Sequence, residues 1–188
     1  MDLRDNGMGD SGMAALASAL ARGALPSLTD LGLSDNQVGV AGVRALSDAL
    51  QAGAPVLPKL KELDLSDNCI GNAGLAVLAE ALSNNAPPRE APLLALTELD
   101  VSNNGFGQGA AALIAAMLTK GALLSCRNLS AYGFPAEAHD AAEVLQKACN
   151  SRNITLRCTY QEWYEDTGNQ CQCIYCQPMD SLFPWRRV

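Results

Sequence analysis

Leucines alternate with polar residues in short segments that recur along most of the chain. The clearest copies run from Leu31 to Gly39, from Leu63 to Gly71 and from Leu99 to Gly107. Strict alternation over such a length is typical of a half-buried β-strand. Weaker copies begin at Leu3 and Leu129, so five copies are visible at intervals of 28 to 36 residues.

The hydrophobic period changes after each predicted strand. In 42–50 and 74–82, leucine, valine and alanine recur every three or four residues, which predicts a helix with one apolar face. Stretches rich in proline, glycine and alanine at 52–58 and 86–92 separate a helix from the next strand and are predicted loops. Each unit is therefore a strand, a turn and a helix, and it can bury its apolar face only by stacking on neighbouring units.

An asparagine follows most of the predicted strands. A side-chain amide at a turn can satisfy backbone groups that the chain leaves unpaired as it exits the strand, and one amide per coil can stack above the next. The fifth copy has Tyr132 in place of this asparagine, and Arg127 is interpreted there as replacing a leucine. The predicted structural asparagines are Asn6, Asn36, Asn68 and Asn104.

The segment from Leu60 to Asn68, with the helix after it, resembles the ribonuclease-inhibitor subtype of leucine-rich repeats. Its residues match the pattern L-x-x-L-x-L-x-x-N. The resemblance covers about residues 1–150, and the same architecture occurs in NOD-like receptor sensor domains and Ran GTPase-activating proteins. It implies an α/β solenoid shaped as a horseshoe or arc, with parallel strands on the concave wall, helices outside, and protein ligands as the usual partners.

The composition changes after residue 150. Six of the nine aromatic residues lie in 160–188, although the alternation continues from Ile154 to Tyr160 and predicts a sixth strand. We therefore divide the chain into a solenoid of five to six repeats at 1–158 and a cysteine- and aromatic-rich cap or tail at 159–188. Large rings there would cover the apolar end of the last coil.

Four of the seven cysteines gather near the end of the chain, at Cys158, Cys171, Cys173 and Cys176. Four thiolates can bind Zn²⁺ tetrahedrally and stabilise a small cap that lacks its own core. Structural zinc sites commonly pair two short knuckles, whereas here one cysteine stands apart from three others. A zinc site, a disulfide and free thiols therefore remain open alternatives.

The charge and hydropathy of the chain exclude several partners. Thirteen basic and twenty acidic residues give a net charge of -7, which argues against binding a nucleic-acid backbone. The longest apolar run, Ala110 to Leu118, is too short to span a membrane, and the first residues do not resemble a secretory signal. These features predict a soluble, cytoplasmic protein, with the nucleus left open.

The chain begins almost inside the first predicted strand. Solenoids need a polar cap over each terminal coil, and no residues precede Met1 in this sequence to supply one. The sequence therefore predicts either a fragment or self-association through the N-terminal edge.

Acidic residues occupy the positions between the buried leucines of the strands. Neighbouring strands are about 4.8 Å apart, so these carboxylates should form a ladder on the concave face. Such a ladder would attract a protein surface rich in lysine and arginine. The predicted protein-binding residues are Asp30, Glu62, Asp64, Glu98 and Asp100.

Catalytic functions are disfavoured by the same pattern. An open concave face provides no deep pocket in which one carboxylate would become a general acid, and the only histidine, His139, lies in no recognisable catalytic motif. We predict a non-catalytic scaffold for protein–protein interaction, without a cofactor other than the zinc considered above. The alternatives are a regulator of a small GTPase, suggested by the family resemblance, and zinc-dependent docking through the tail.

Overall fold

The computed structural model of the chain describes residues 1–52, 56–83, 93–135 and 139–158. Helices and strands alternate throughout these residues. The helices are α1 (Gly9–Ala21), α2 (Val40–Leu50), α3 (Gly71–Ser83), α4 (Ala110–Thr119) and α5 (His139–Ser151). The strands are β1 (Asp30–Gly32), β2 (Glu62–Asp64), β3 (Glu98–Asp100), β4 (Asn128–Ser130) and β5 (Thr155–Arg157).

All five strands pair in parallel in one sheet, in the order β1-β2-β3-β4-β5. A single bridge between Asp2 and Gly32 adds the first coil to this sheet. At the other end, Leu156 pairs with Leu129, so the predicted sixth strand is confirmed as β5. Consecutive helices pack against each other in the same order, which confirms the predicted α/β solenoid.

Two rows of apolar side chains cross the sheet and join it to the helices. The central residue of each strand from β1 to β4 is buried, as is the second residue after it. The strand positions between them face the opposite side of the sheet. Because each coil contributes a buried residue to both rows, the core is continuous from coil to coil. The rows are Leu31, Leu63, Leu99 and Leu129, and Leu33, Leu65, Val101 and Ala131.

The interpretation of Arg127 as a leucine replacement is wrong. The backbone N–H of Arg127 donates to the carbonyl of Thr97, as that of Thr97 donates to the carbonyl of Lys61. Arg127 therefore aligns with Thr97 and Lys61, and its side chain is exposed. Cys126 takes the leucine position instead, and it is 1% exposed. A cysteine behaves as a small hydrophobic residue when buried, and this substitution hid the correct alignment of the fifth copy.

Polar side chains tie some helices to the coil before them. The Oδ1 atom of Asp10 in α1 accepts hydrogen bonds from the N–H groups of Gly39 (2.7 Å) and Gly42 (2.9 Å) at the start of α2. Asn72 in α3 similarly accepts one from Gly107 (2.9 Å), shortly before α4. These side chains do for the next helix what an N-cap residue does within a single helix.

Ser47 in α2 is 2% exposed, and its hydroxyl has no hydrogen-bond partner among the described residues. A buried, unpaired polar group costs about 1–3 kcal/mol. We expect Ser47→Ala to raise the free energy of unfolding by about 1 kcal/mol, measured by chemical denaturation. The control is Ser11→Ala on the exposed face of α1, which reports helix propensity alone. An equal gain in both variants would contradict the assignment.

Candidate functional site

The five predicted binding residues lie on the concave face in two rows. Asp30, Glu62 and Glu98 pair in register and are exposed; we call them the exposed row. Asp64 and Asp100, also paired in register and partly buried, form the half-buried row. The two rows lie two residues apart along each strand, or about 7 Å, with a buried leucine between them.

Both rows line one open hollow of about 390 Å³. The hollow extends from the first coil to β5. Its wall consists of the two acidic rows, the leucines between them and the residues that continue the rows at either end. Those continuing residues are Met1, Asp2, Arg4, Gly32, Asn128, Ser130 and Arg157.

The carboxylates of the half-buried row are held by the turns that follow their strands. Asp64 Oδ1 accepts hydrogen bonds from the N–H (3.0 Å) and the hydroxyl (2.6 Å) of Ser66. Asp100 Oδ1 accepts one from the N–H of Ser102 (2.8 Å). The sequence Leu-Asp-Leu-Ser or Leu-Asp-Val-Ser therefore fixes these acids by local bonds, and the repeated motif places them identically in consecutive coils.

The surroundings of Asp100 shift the pKa of its carboxyl. Burial raises the pKa of its carboxyl, and the carboxylates of Asp64 and Asp67 raise it further, whereas the hydrogen bonds from Ser102 lower it. A raised pKa in the folded state means that folding favours the protonated form. The ionised Asp100 therefore reduces stability at neutral pH.

We expect Asp100→Asn to increase the free energy of unfolding at neutral pH. Asparagine retains an oxygen for Ser102 and removes the repulsion from neighbouring carboxylates. The gain should be absent below the ordinary aspartate pKa of about 3.9 and should develop as the pH rises through the raised pKa. Denaturation curves across this range test it, with Asp48→Asn on the exposed side of α2 as the control. A gain independent of pH would contradict the prediction.

Basic residues flank the acidic rows at both ends of the hollow. Arg4 forms a 2.7 Å ion pair with Asp2, and its side chain crosses over Gly32, where an added Cβ would lie 3.3 Å from Arg4 Cγ. The pKa of Arg4 is raised, mainly by Asp2 and further by Asp64. At the opposite end, Arg157 continues the half-buried row beyond Ser130.

The sequence prediction missed Asp2, Arg4 and Arg157 as parts of this surface. Aligning Leu3 with Leu33 places Asp2 beside Gly32, so the repeat itself contained the signal for Asp2. The same alignment places Arg157 after Ser130 in its row. The position of Arg4 depends on the missing side chain at Gly32, which the repeat pattern does not show.

The turn asparagines form hydrogen bonds between coils. Asn36, Asn68 and Asn104 are fully buried, and the Nδ2 atom of each donates to carbonyls of its own coil and of the coil before it. Asn6 is exposed, and its Nδ2 donates to the carbonyl of Arg4 (2.9 Å). In the fifth copy, the N–H of Tyr132 donates to the hydroxyl of Ser102 (3.1 Å).

The predicted zinc ligands fall mostly outside the described residues. Cys158 is partly buried and has a free thiol, and burial raises its pKa. Cys171, Cys173 and Cys176 lie outside the described residues. Among the described residues, no group of three or more histidine, cysteine or acidic side chains is arranged to hold a metal, and the zinc site stays a prediction.

The stacked coils of parallel strand and helix, with a shared core and an open concave face, define a solenoid repeat protein. A leucine-rich-repeat family model matches four segments of the chain, at residues 1–17, 24–47, 56–79 and 95–115. The fold is therefore that of a leucine-rich-repeat solenoid, and the ribonuclease-inhibitor subtype stays a prediction. No curated protein matches the chain significantly.

A membrane-spanning helix must be both long and apolar. No helix of the described ranges meets both requirements.

Proposed function

We propose that the concave hollow binds a basic surface of a protein partner and that the protein is a non-catalytic interaction scaffold. The observation that carries this proposal is the arrangement of five acidic residues from three consecutive strands around one open hollow. Leucine-rich repeats generally mediate protein–protein interactions, and solenoids commonly use their concave face for this purpose.

The electrostatics of the two rows favour a cationic partner. Strand spacing brings carboxylates of the same row to within about 5 Å of each other, and the raised pKa of Asp100 reflects its burial and the repulsion from Asp64 and Asp67. Lysine or arginine side chains entering the hollow would relieve this repulsion. They would also accelerate association, because opposite charges steer the encounter.

The flanking arginines limit the acidic surface to the middle of the hollow. Arg4 stands at the end nearest the first coil, and Arg157 stands on β5. A matching partner would present its cations to the central strands and neutral or acidic groups towards the two ends. This arrangement favours binding of a partner in one defined register. It disfavours binding of a nucleic acid, whose phosphate backbone is uniformly charged.

Charge reversal in the exposed row tests the proposal. We expect the double variant Glu62→Lys and Glu98→Lys to capture about one tenth or less of the partner that the unchanged protein captures from a cell extract, because like charges facing across an interface cost several kcal/mol. The captured proteins are identified and quantified by mass spectrometry at physiological salt.

A matched variant controls for the change in net charge. Asp48→Lys and Glu80→Lys alter two exposed acids on α2 and α3, away from the hollow, and this variant should capture the partner as the unchanged protein does. Equal capture by all three proteins would exclude the exposed row, and equal loss in both variants would show that net charge alone governs binding. Thermal unfolding of each variant verifies that it is folded.

The remaining functional hypotheses stay predictions. These are regulation of a small GTPase, zinc-dependent docking through 159–188, and self-association through the N-terminal edge. A GTP-hydrolysis assay would test the first, metal analysis of the purified protein the second, and the mass of the protein in solution the third.

A further inference from the structure

The chain contains two Asn-Gly sequences, at Asn6–Gly7 and Asn104–Gly105. Both asparagines occupy the turn position of their coils. In such a sequence the glycine nitrogen can attack the asparagine side-chain carbonyl carbon, because glycine has no Cβ to obstruct the approach. Whether the attack occurs in a folded protein depends on how firmly the side chain is held and on whether water reaches it.

Asn104 is firmly held and shielded from water. Its side chain is 0% exposed, and its Nδ2 donates to the carbonyls of Leu65, Val101 and Ser102 at 2.9–3.0 Å. Its Oδ1 accepts a hydrogen bond from Ile70 N–H (3.3 Å). Rotation of this amide towards the Gly105 nitrogen would break all four hydrogen bonds, so reaction there requires local opening of the fold.

Asn6 has the opposite environment. Its side chain is exposed and makes one hydrogen bond, from Nδ2 to the carbonyl of Arg4 (2.9 Å). Gly7 has a φ of +57°, and a Cβ built there would meet nothing within 4 Å. The amide is therefore able to rotate and is reached by water without any opening of the coil.

We propose that Asn6 is a site of spontaneous deamidation in the folded protein. The Gly7 backbone nitrogen loses its proton and bonds to Asn6 Cγ; the Cγ–Nδ2 bond breaks and ammonia leaves with a proton, which forms a succinimide ring. Water then opens the ring at either carbonyl. The products are aspartate and isoaspartate at position 6, and no oxidant or reductant is needed.

Either product alters the attachment of the first coil. Each adds a negative charge next to Asp5, and isoaspartate also lengthens the main chain by one methylene. The N–H groups of Asn6 and Met8 both donate to Asn36 Oδ1 at 3.2 Å, and the longer main chain cannot keep both contacts. Deamidation therefore loosens the first coil from the second and leaves the later coils intact.

Peptide mass spectrometry after incubation of the full chain at mildly alkaline pH measures the reaction. Trypsin cleavage gives peptide 5–22, in which Asn6 is the only asparagine, and peptide 90–120, which contains Asn104. In the folded protein we expect Asn6 to convert at least about tenfold faster than Asn104, because Asn104 must wait for local opening. In guanidinium the two Asn-Gly sites should convert at rates within about twofold, since neither is protected.

Two outcomes would overturn the proposal. One is an unchanged 5–22 peptide in folded protein over a period in which unfolded protein converts. The other is equal conversion of both sites in the folded state. The variant Asn6→Gln, which lacks the five-membered ring pathway, should leave peptide 5–22 unmodified, and any mass change that persists in it would assign the modification to another residue.

Discussion

Replacing Asn68 by alanine should destabilise the protein by about 3–5 kcal/mol, the range reached when several buried polar groups lose their partners. The Nδ2 atom of Asn68 donates to the carbonyls of Leu33 (2.9 Å), Leu65 (3.1 Å) and Ser66 (2.9 Å). Its Oδ1 accepts from the N–H groups of Asn36 (3.2 Å) and Val38 (2.9 Å). Alanine leaves these backbone groups buried without the amide, and a single water in the vacated space could replace at most four of the five hydrogen bonds.

A second substitution at the same position distinguishes the effect of losing the amide's hydrogen-bond donors from the effect of losing its volume. Asn68→Asp keeps the shape and the Oδ1 acceptor, but the ionised side chain has no donor for the three carbonyls, and its charge would be buried among them. We therefore expect Asn68→Asp to be at least as destabilising as Asn68→Ala at neutral pH. Part of the stability should return on acidification, because protonation restores one donor.

The control for this series is Asn6→Ala. Asn6 has the corresponding place in the first coil, but its side chain is exposed and makes a single hydrogen bond, so we expect a loss of less than about 1 kcal/mol. Urea unfolding followed by circular dichroism measures all three variants. Equal losses in Asn6→Ala and Asn68→Ala would show that the turn position, not the buried hydrogen bonds, determines the effect.

These asparagines also show what repetition allows a reader of the sequence to predict. Strands, helices and register followed from leucine spacing, because a residue that recurs in each coil must meet the same environment in each coil. Leucine spacing does not explain the aspartates before the asparagines, of which Asp35 and Asp67 have positive φ angles of 53° and 52°. Aspartate and asparagine tolerate this backbone conformation better than most residues.

The features that the sequence did not predict depend on side-chain contacts that are not repeated in every coil. Asp10 caps α2 from the preceding helix, although the equivalent residue in α2 is Val40, and a bond present in some coils leaves no periodic signal. Arg4 reaches into the hollow only because β1 ends in glycine. In the candidate site, the acids could therefore be predicted from alternation, whereas the arginines at its ends could not.

Removing the guanidinium of Arg152 should have an effect of similar size at the C-terminal end of the solenoid. Arg152 follows α5 and is partly buried. Its Nη1 donates to the carbonyls of Leu118 (2.9 Å) and Ala122 (2.5 Å), and its Nη2 donates to that of Leu123 (2.9 Å). These carbonyls belong to the end of α4 and the turn after it, so one side chain joins two consecutive coils.

We expect Arg152→Met to lower the free energy of unfolding by about 2–4 kcal/mol, because hydrogen bonds from charged donors contribute about 1.5–3 kcal/mol each and are not additive. Methionine retains most of the apolar stem, so the loss reports the guanidinium. Arg152→Lys should recover only part of it, since an ammonium cannot reproduce the planar geometry that reaches three carbonyls.

Arg22 provides the matched control, because it also follows a helix but is exposed and donates to Ser18 within its own coil. Arg22→Met should cost less than about 0.5 kcal/mol. Since coils contact only their neighbours, Arg152→Met should loosen β5 and α5 before the rest of the solenoid. Hydrogen exchange of the amides in α5 and β5 would detect this local opening, and uniform exchange along all coils would contradict a role confined to the last pair.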